Sequence, residues 1–240
     1  MKYFILWLML FFNFPLSAQS ANTSGISFNF TRIVYSEKDT KGVIFQARNN
    51  TPGPVLIQAW GSHINTETGA VDDSRSDMEV PFIVLPPLQR VESGEEFTLH
   101  LRPNATPPPV GKESVWLLSF KTIPVSRGKR DNSLAVTVVT SLKVFIRNGV
   151  NGVGVEQAAG QVTAAWGPEG LMLNNPTPYW LTLSSLKLDK RELARTALLK
   201  MVAPMRTTTF PWNGGRPQQA TLRFIDEYSM DTPLVSLKIK

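Results

Sequence analysis

From residue 26 onward apolar and polar positions alternate with a period of two, the pattern of strands that bury one face. Ile26, Phe28 and Phe30 alternate with Ser27, Asn29 and Thr31, and the same rhythm returns in Val43, Phe45 and Ala47, in Val55, Ile57 and Ala59, and in Phe97, Leu99 and Leu101. Each run stops at turn chemistry: Asn49-Asn50-Thr51-Pro52-Gly53-Pro54, Ser93-Gly94, and Pro107-Pro108-Pro109-Val110-Gly111. Longer strands follow over 115–123 and 134–146. Short strands at this spacing, with helical periodicity nearly absent, predict an all-β chain built as a sandwich.

Alternation stops over 148–155, where Gly149, Gly152 and Gly154 suit a flexible connection between domains. Beyond it, strand-like pieces at 161–166, 171–173, 179–188, 197–202, 207–210, 220–225 and 234–239 predict a second, smaller sandwich. Residues 189–198 place Leu193, Ala197 and Leu198 on one helical face, but the flanking pattern is strand. The chain therefore divides into a first domain over 21–147, a connection over 148–155 and a second domain over 156–240.

The segment 1–20 has Lys2, an apolar run over 4–14 and a small-residue stretch with Ala18 and Ser20 before Ala21, and reads as a cleavable secretory signal. The run is short of the roughly 20 apolar residues a spanning helix needs. A mature chain released from it would carry no membrane insertion. Cysteine is absent, which excludes disulfides, thiol chemistry and Cys-ligated metal. The formal net charge of +6 is spread along the chain apart from Arg127, Lys129 and Arg130, with no aromatic-basic alternation of the kind that stacks single-stranded nucleic acid.

Catalytic chemistry is missing. The two histidines, His63 and His100, sit outside metal-ligand spacing, and no Gly-x-Ser-x-Gly elbow occurs. Asp72, Asp73 and Asp77 lack the glycine turn and terminal glutamate of a calcium loop. The Gly-x-x-Gly-x-Gly of the connection lies outside a dinucleotide-loop context. The reading is therefore no enzyme, no cofactor and no metal.

Several runs together resemble the periplasmic pilus chaperones of the chaperone/usher pathway: Thr31-Arg32-Ile33-Val34-Tyr35, Ala47-Arg48-Asn49-Asn50, Leu56-Ile57-Gln58-Ala59-Trp60, the run from Phe82 through Pro86-Pro87 to Val91, Lys112-Glu113-Ser114-Val115-Trp116, Leu142-Lys143-Val144-Phe145-Ile146-Arg147, and Asn175-Pro176-Thr177-Pro178-Tyr179. Two departures are evident. The second domain lacks a cysteine pair, and Ile225-Asp226-Glu227-Tyr228-Ser229 only approximates the family's Ile-Asn-Asp-Tyr-Gly.

The resemblance implies two immunoglobulin-like β-sandwich domains set at an angle, with a cleft between them. It implies pilus subunits and an outer-membrane usher as partners, and a periplasmic location. Leu134, Val136 and Val138 would be lent to a subunit as a strand, with Ala135, Thr137 and Val139 turned toward the protein's own side. Arg32 and Lys143 would grip the subunit's terminal carboxylate. Glu113, Arg147 and Glu227 would form ion pairs between the domains, near a connection with few apolar contacts, each exposed and worth about 0–1 kcal/mol.

On a regular strand two parities conflict. Arg32 shares the parity of Ile26, Phe28 and Phe30, which aims it at the core, and Lys143 has the opposite parity to the donor row. A secreted adhesin or carbohydrate-binding module is the alternative; it would array Trp or Tyr on one face, whereas Trp60, Trp116, Trp166, Trp180 and Trp212 are scattered. Whether the free protein caps itself as a dimer stays open.

Overall fold

The computed structural model describes residues 24–125, 136–150, 152 and 154–240. The signal expected over 1–20 and Leu134 of the expected donor row lie outside the described residues. The first domain contains β1 (Ile26–Ser27), β2 (Arg32–Ser36), β3 (Val43–Asn49), β4 (Val55–Ser62), β5 (Phe82–Leu85), β6 (Leu88–Val91), β7 (Glu96–Pro103), β8 (Ser114–Pro124) and β9 (Val138–Arg147). One sheet runs β1-β3-β7-β5 and the other β2-β9-β8-β4-β6. Phe45, Leu99 and Leu101 from the first pack against Ile57, Phe120 and Val144 from the second, as the period of two requires. Phe120 lies at the centre, its ring 6.1 Å from that of Phe45 and 6.4 Å from that of Phe97.

The chain changes sheets at its start. β1 pairs with β3, whereas β2 pairs in parallel with β9, so the residues between them cross from one sheet to the other. This crossing resets the parity. Ile33 and Tyr35 enter the core, and Arg32, expected on the core face with Phe28 and Phe30, leaves the opposite side of the sheet.

The second domain opens on α1 (Val155–Ala159), which starts at the last residue of the expected connection and buries Val155, Ala158 and Ala159. Five residues are too few to register as a 3.6-residue period, and so α1 left no helical signature in the sequence. Its strands are β10 (Thr163–Gly167), β11 (Gly170–Asn175), β12 (Leu181–Leu188), β13 (Arg191–Glu192), β14 (Met201–Val202), β15 (Arg206–Pro211), β16 (Gln219–Phe224) and β17 (Val235–Lys238). Sheets ordered β10-β11-β15 and β13-β12-β16-β17, with β14 also on β12, enclose Leu171, Leu173, Leu181, Phe210, Leu222 and Phe224. Residues 189–198 form the two-residue β13 and lead into a single 3-10 turn, Ala197–Leu199, rather than an α-helix.

Both domains close a corner with the same device. Asn49 is fully buried, its amide bonded to the carbonyls of Val91 and Glu92 at 3.3 and 3.0 Å while its carbonyl accepts from Thr51 N and Oγ1. Asn175 repeats this with the carbonyls of Tyr179 and Ala203 at 2.7 and 3.1 Å and with Thr177 N and Oγ1. The spacing Asn-x-Thr-Pro supplies the acceptor, the hydroxyl and the fixed φ that the corner needs. Replacing Asn175 by Ala strands buried backbone groups, each costing about 1–3 kcal/mol. Urea unfolding of Asn175→Ala should show a loss of about 2–4 kcal/mol, and the same loss is expected for Asn49→Ala.

Candidate functional site

Strand β9 runs in unbroken antiparallel register with β8 from Val138 opposite Thr122 to Ile146 opposite Ser114. On its other side β2 joins only at Lys143, opposite Arg32, and continues to Arg147. Among the described residues, no strand covers that edge over 138–142. Backbone N–H and C=O groups along such an edge are ready to pair with another chain.

Val136 and Val138, expected as donors, lie beside this edge and are 64% and 57% exposed. They continue the row of Leu142, Val144 and Ile146, which face the core, and so they project past the covered end of the sandwich. There, with Thr140, they line a groove of about 650 Å³ whose other walls include Ile26, Val55 and Thr122. Of the intervening positions, Ala135 lies outside the described residues, and Thr137 and Val139 differ from expectation. Val139 is exposed as well, and Thr137 with it, because the sheet continues past the domain it covers; neither is a residue of the protein's own core.

The register brings Arg32 and Lys143 side by side at the inner end of the edge. The parity conflict at Lys143 is resolved without a bulge. Lys143 shares the outer side of the sheet with Phe145, which packs against the second domain, while the valine row continues the inner side. Arg32 is 6% exposed; its Nη1 donates to the Ile225 carbonyl of the second domain at 2.7 Å, and its guanidinium lies 5.1 Å from the Phe145 ring centre. Its Nε finds no hydrogen-bond partner among the described residues. Neither cation has a carboxylate within ion-pairing distance among them.

The cost of this arrangement appears in the titration of both groups. Burial pulls Arg32 down to about 10 despite the fields of Glu113, Asp226 and Glu227. Burial, then repulsion from Arg32, pulls Lys143 down to about 8. Among the described residues these two desolvated cations have no ion-pair partner, and a carboxylate placed here would gain charge-assisted hydrogen bonds in a poorly screened setting.

Glu113, Arg147 and Glu227 are also brought together. Arg147 donates from Nε to Glu113 at 2.7 Å and from Nη2 to Glu227 at 2.6 Å, and its guanidinium stacks over Tyr179 at 4.8 Å. The expected exposure of these pairs is not what the structure has. Glu113 is 1% exposed, with its second oxygen accepting from Trp180 N at 2.8 Å, and Glu227 also accepts from Val155 N. Burial drives the Glu113 carboxyl up to about 7 against the pull of Arg147 and the Trp180 N–H. Burial works against the Arg147 charge too, but Glu113 and Glu227 raise it on balance.

The junction also holds more apolar surface than its sequence suggested. Ile64, Val115, Leu117 and Phe145 of the first domain cluster with Met201 and Trp180 of the second. Sequence reading missed Ile225, whose contribution is a backbone carbonyl and has no side-chain signature. It also missed Ser229, which occupies a left-handed φ of 66° where the family pattern has glycine; its hydroxyl accepts from Thr31 N at 2.9 Å, offsetting the strain.

Comparison with known proteins gives a consistent result. The model described as pili and flagellar-assembly chaperone, PapD N-terminal domain, matches residues 25–148, and that described as pili assembly chaperone PapD, C-terminal domain, matches 157–233. Chaperone protein FocC of Escherichia coli is 27% identical over 237 residues, covering 97% of this chain and 96% of its own. The periplasmic chaperone SfaE superposes with a TM-score of 0.68 at 28% identity, over 89% of this chain and 100% of its own. The SafB chaperone in complex with SafA pilin from Salmonella enterica superposes with a TM-score of 0.74 at 19% identity, over 89% and 96%, a likeness of fold.

The two charged groups of the junction should respond oppositely to neutralisation. Lys143→Met removes a desolvated, unpaired cation and should stabilise the free protein by about 1–2 kcal/mol, as function-bearing charges often do when removed. Arg147→Ala instead leaves Glu113 buried without its partner and should cost about 3–5 kcal/mol. Thermal unfolding of the two variants measures both, and a melting temperature that falls for Lys143→Met would contradict the assignment of strain to that site.

Proposed function

The chain belongs to the pili assembly chaperone family, and from that premise we propose that it holds pilus subunits by lending them the free edge of β9. The observation that carries this reading is the half-paired strand: β2 covers β9 only from Lys143 onward, leaving the segment before it open beside exposed valines. A subunit lacking one strand of its own sandwich exposes an unpaired edge and an open core. The lent strand satisfies its backbone groups, and side chains from Leu134, Val136 and Val138 fill its groove. Burying a Leu or Val contributes roughly 1.5–3 kcal/mol, so three such side chains supply about 4–9 kcal/mol before ordering costs.

Arg32 and Lys143 would hold the subunit's terminal carboxylate and thereby set the register of pairing. Glu113, Arg147 and Glu227 would hold the two domains in the relation that keeps this anchor formed. Strand pairing and burial supply the binding energy, with no nucleotide or metal consumed. We assign the protein to the periplasm, reached by a signal over 1–20, with delivery of the subunit to an outer-membrane usher. The two domains in this proposal run over 21–147 and 156–240, joined by the connection over 148–155.

Two measurements test the reading. Val136→Asp and Val138→Asp should lose co-purification with subunit, since each places an unpaired carboxylate in an apolar groove. Both side chains are exposed in the free protein, so its melting temperature should stay within about 0.5 kcal/mol of wild type in equivalent stability. Loss of capture that merely follows unfolding would contradict the lent strand.

The anchor predicts a pH dependence. Lys143 is held near 8 in the free protein, and a bound carboxylate raises it, so capture above pH 8 must take up a proton. Affinity should be nearly constant below pH 7 and about tenfold weaker at pH 9. Lys143→Arg stays charged throughout and should flatten this profile, whereas an unchanged profile would remove Lys143 from the contact.

A further inference from the structure

A second cavity opens at the domain junction, and neither Arg32 nor Lys143 lines it. It measures about 320 Å³. Its walls come from both domains, with Trp116 from the first and Trp180 from the second among its apolar surfaces. The loop over 63–71 reaches the second domain beside it. There the Thr66 carbonyl accepts from Met201 N at 2.9 Å, and Glu67 pairs with Lys200 at 2.7 Å. The cavity therefore sits between two interdomain contacts, this one and the bond from Trp180 N to Glu113.

Three cations line the cavity, Arg75, Lys112 and Arg206, and none has an ion-pair partner among the described residues. The one carboxylate in its lining, Glu113, has both oxygens engaged, by Arg147 and by Trp180 N. His63 is 5% exposed, its ring 4.8 Å from that of Trp116 and within reach of the Met78 and Glu79 backbone, while its Nε2 makes no well-formed hydrogen bond among the described residues. A buried polar atom left unmatched is uncommon in a folded protein and calls for a partner from outside the chain. Aromatic walls, a cationic rim and one unmatched ring nitrogen are complementary to a single kind of guest.

We propose that this cavity is a binding site for a small amphipathic anion, its ring or acyl body between Trp116 and Trp180, its acid group at Arg75, Lys112 and Arg206, and a polar atom on His63 Nε2. Because both domains supply walls, such a ligand binds one relation of the domains and stabilises it by mass action. The site is separate from the strand edge, so subunit capture and ligand binding are independently measurable.

Anilinonaphthalene sulfonate is a suitable probe, with the same ring system lacking the sulfonate as its uncharged counterpart. The sulfonate should bind with one-to-one stoichiometry and shift the indole N–H signals of Trp116 and Trp180 in heteronuclear NMR, leaving those of Trp60 and Trp212 unmoved. Single Ala substitutions at Arg75, Lys112 or Arg206 should weaken binding by up to about fivefold, and the triple variant by more than tenfold, the range for partly exposed charge contacts. All three side chains are exposed, so circular dichroism should report an unchanged fold. The uncharged counterpart should bind at least about tenfold more weakly than the sulfonate. Equal binding of the two probes, wild-type affinity in the triple variant, or shifts confined to residues near Val136 and Val138 would each overturn the proposal.

Discussion

Parallel pairing of β2 with β9 cannot begin before Arg32, because the residues just upstream are still crossing from the opposite sheet. That constraint shapes the rest of the site. It leaves the first half of β9 with one neighbour among the described residues, and it places the first residue of the late-arriving strand, a cation, against a second cation on β9. It also ends the covered sandwich short of Val136 and Val138, so a row that serves the core from Leu142 to Ile146 becomes an exposed row without any change of parity. A strand edge, an apolar row and a pair of adjacent cations thus follow from where one short strand enters one sheet.

The cation pair is costly in isolation, and the second domain offsets part of the cost. Ile225 gives Arg32 a carbonyl, and the turn that follows is tied by Asp226, whose carboxylate accepts from Tyr228 N and Met230 N at 2.9 and 2.8 Å. Ser229 then tolerates its left-handed backbone while bonding to the residue before Arg32. Lys143 receives no such help. It sits on an apolar face with Phe145 and Leu117, repelled by Arg32, and its charge is sustained only near neutral pH and below. An anion placed beside Lys143 would therefore supply what the fold withholds from it.

Much of this was legible in the sequence wherever a side chain's type and its place in an alternating run suffice. The strands β3, β4 and β7, which carry the runs up to Ala47, Ala59 and Leu101, follow directly from period two, and Lys143 stands out as a charge inside Leu142-Lys143-Val144-Phe145. Alternation also marks Val136 and Val138, although it cannot say whether a partner or the protein's own core receives them. Parity failed at Arg32 because period two holds only within one sheet, and nothing in Asn29-Phe30-Thr31 announces a change of sheet. The expected exposure failed at Glu113 for a different reason: a lone glutamate between Lys112 and Ser114 looks solvated until a second domain closes over it. The loop at Thr66 and Glu67 carries no signature at all, since its contacts to Lys200 and Met201 span two domains.

The distribution of contacts across the junction explains why its geometry matters to the strand edge. Apolar packing by Ile64, Leu117, Phe145 and Met201 is non-directional and alone would allow the domains to slide. The bonds around it are directional. Arg147 to Glu227, Glu113 to Trp180 N, Arg32 to Ile225 and Met201 N to Thr66 each tolerate only a few tenths of an ångström before weakening. Arg32 belongs to both systems, since its β-ladder is in the first domain and its guanidinium is aimed by a carbonyl of the second. Any rotation that broke the other bonds would swing Ile225 away and release the guanidinium from its place beside Lys143. The second domain is thus one wall of the site that holds Arg32 beside Lys143, and the buried charges at the junction hold that wall in register with the strand edge.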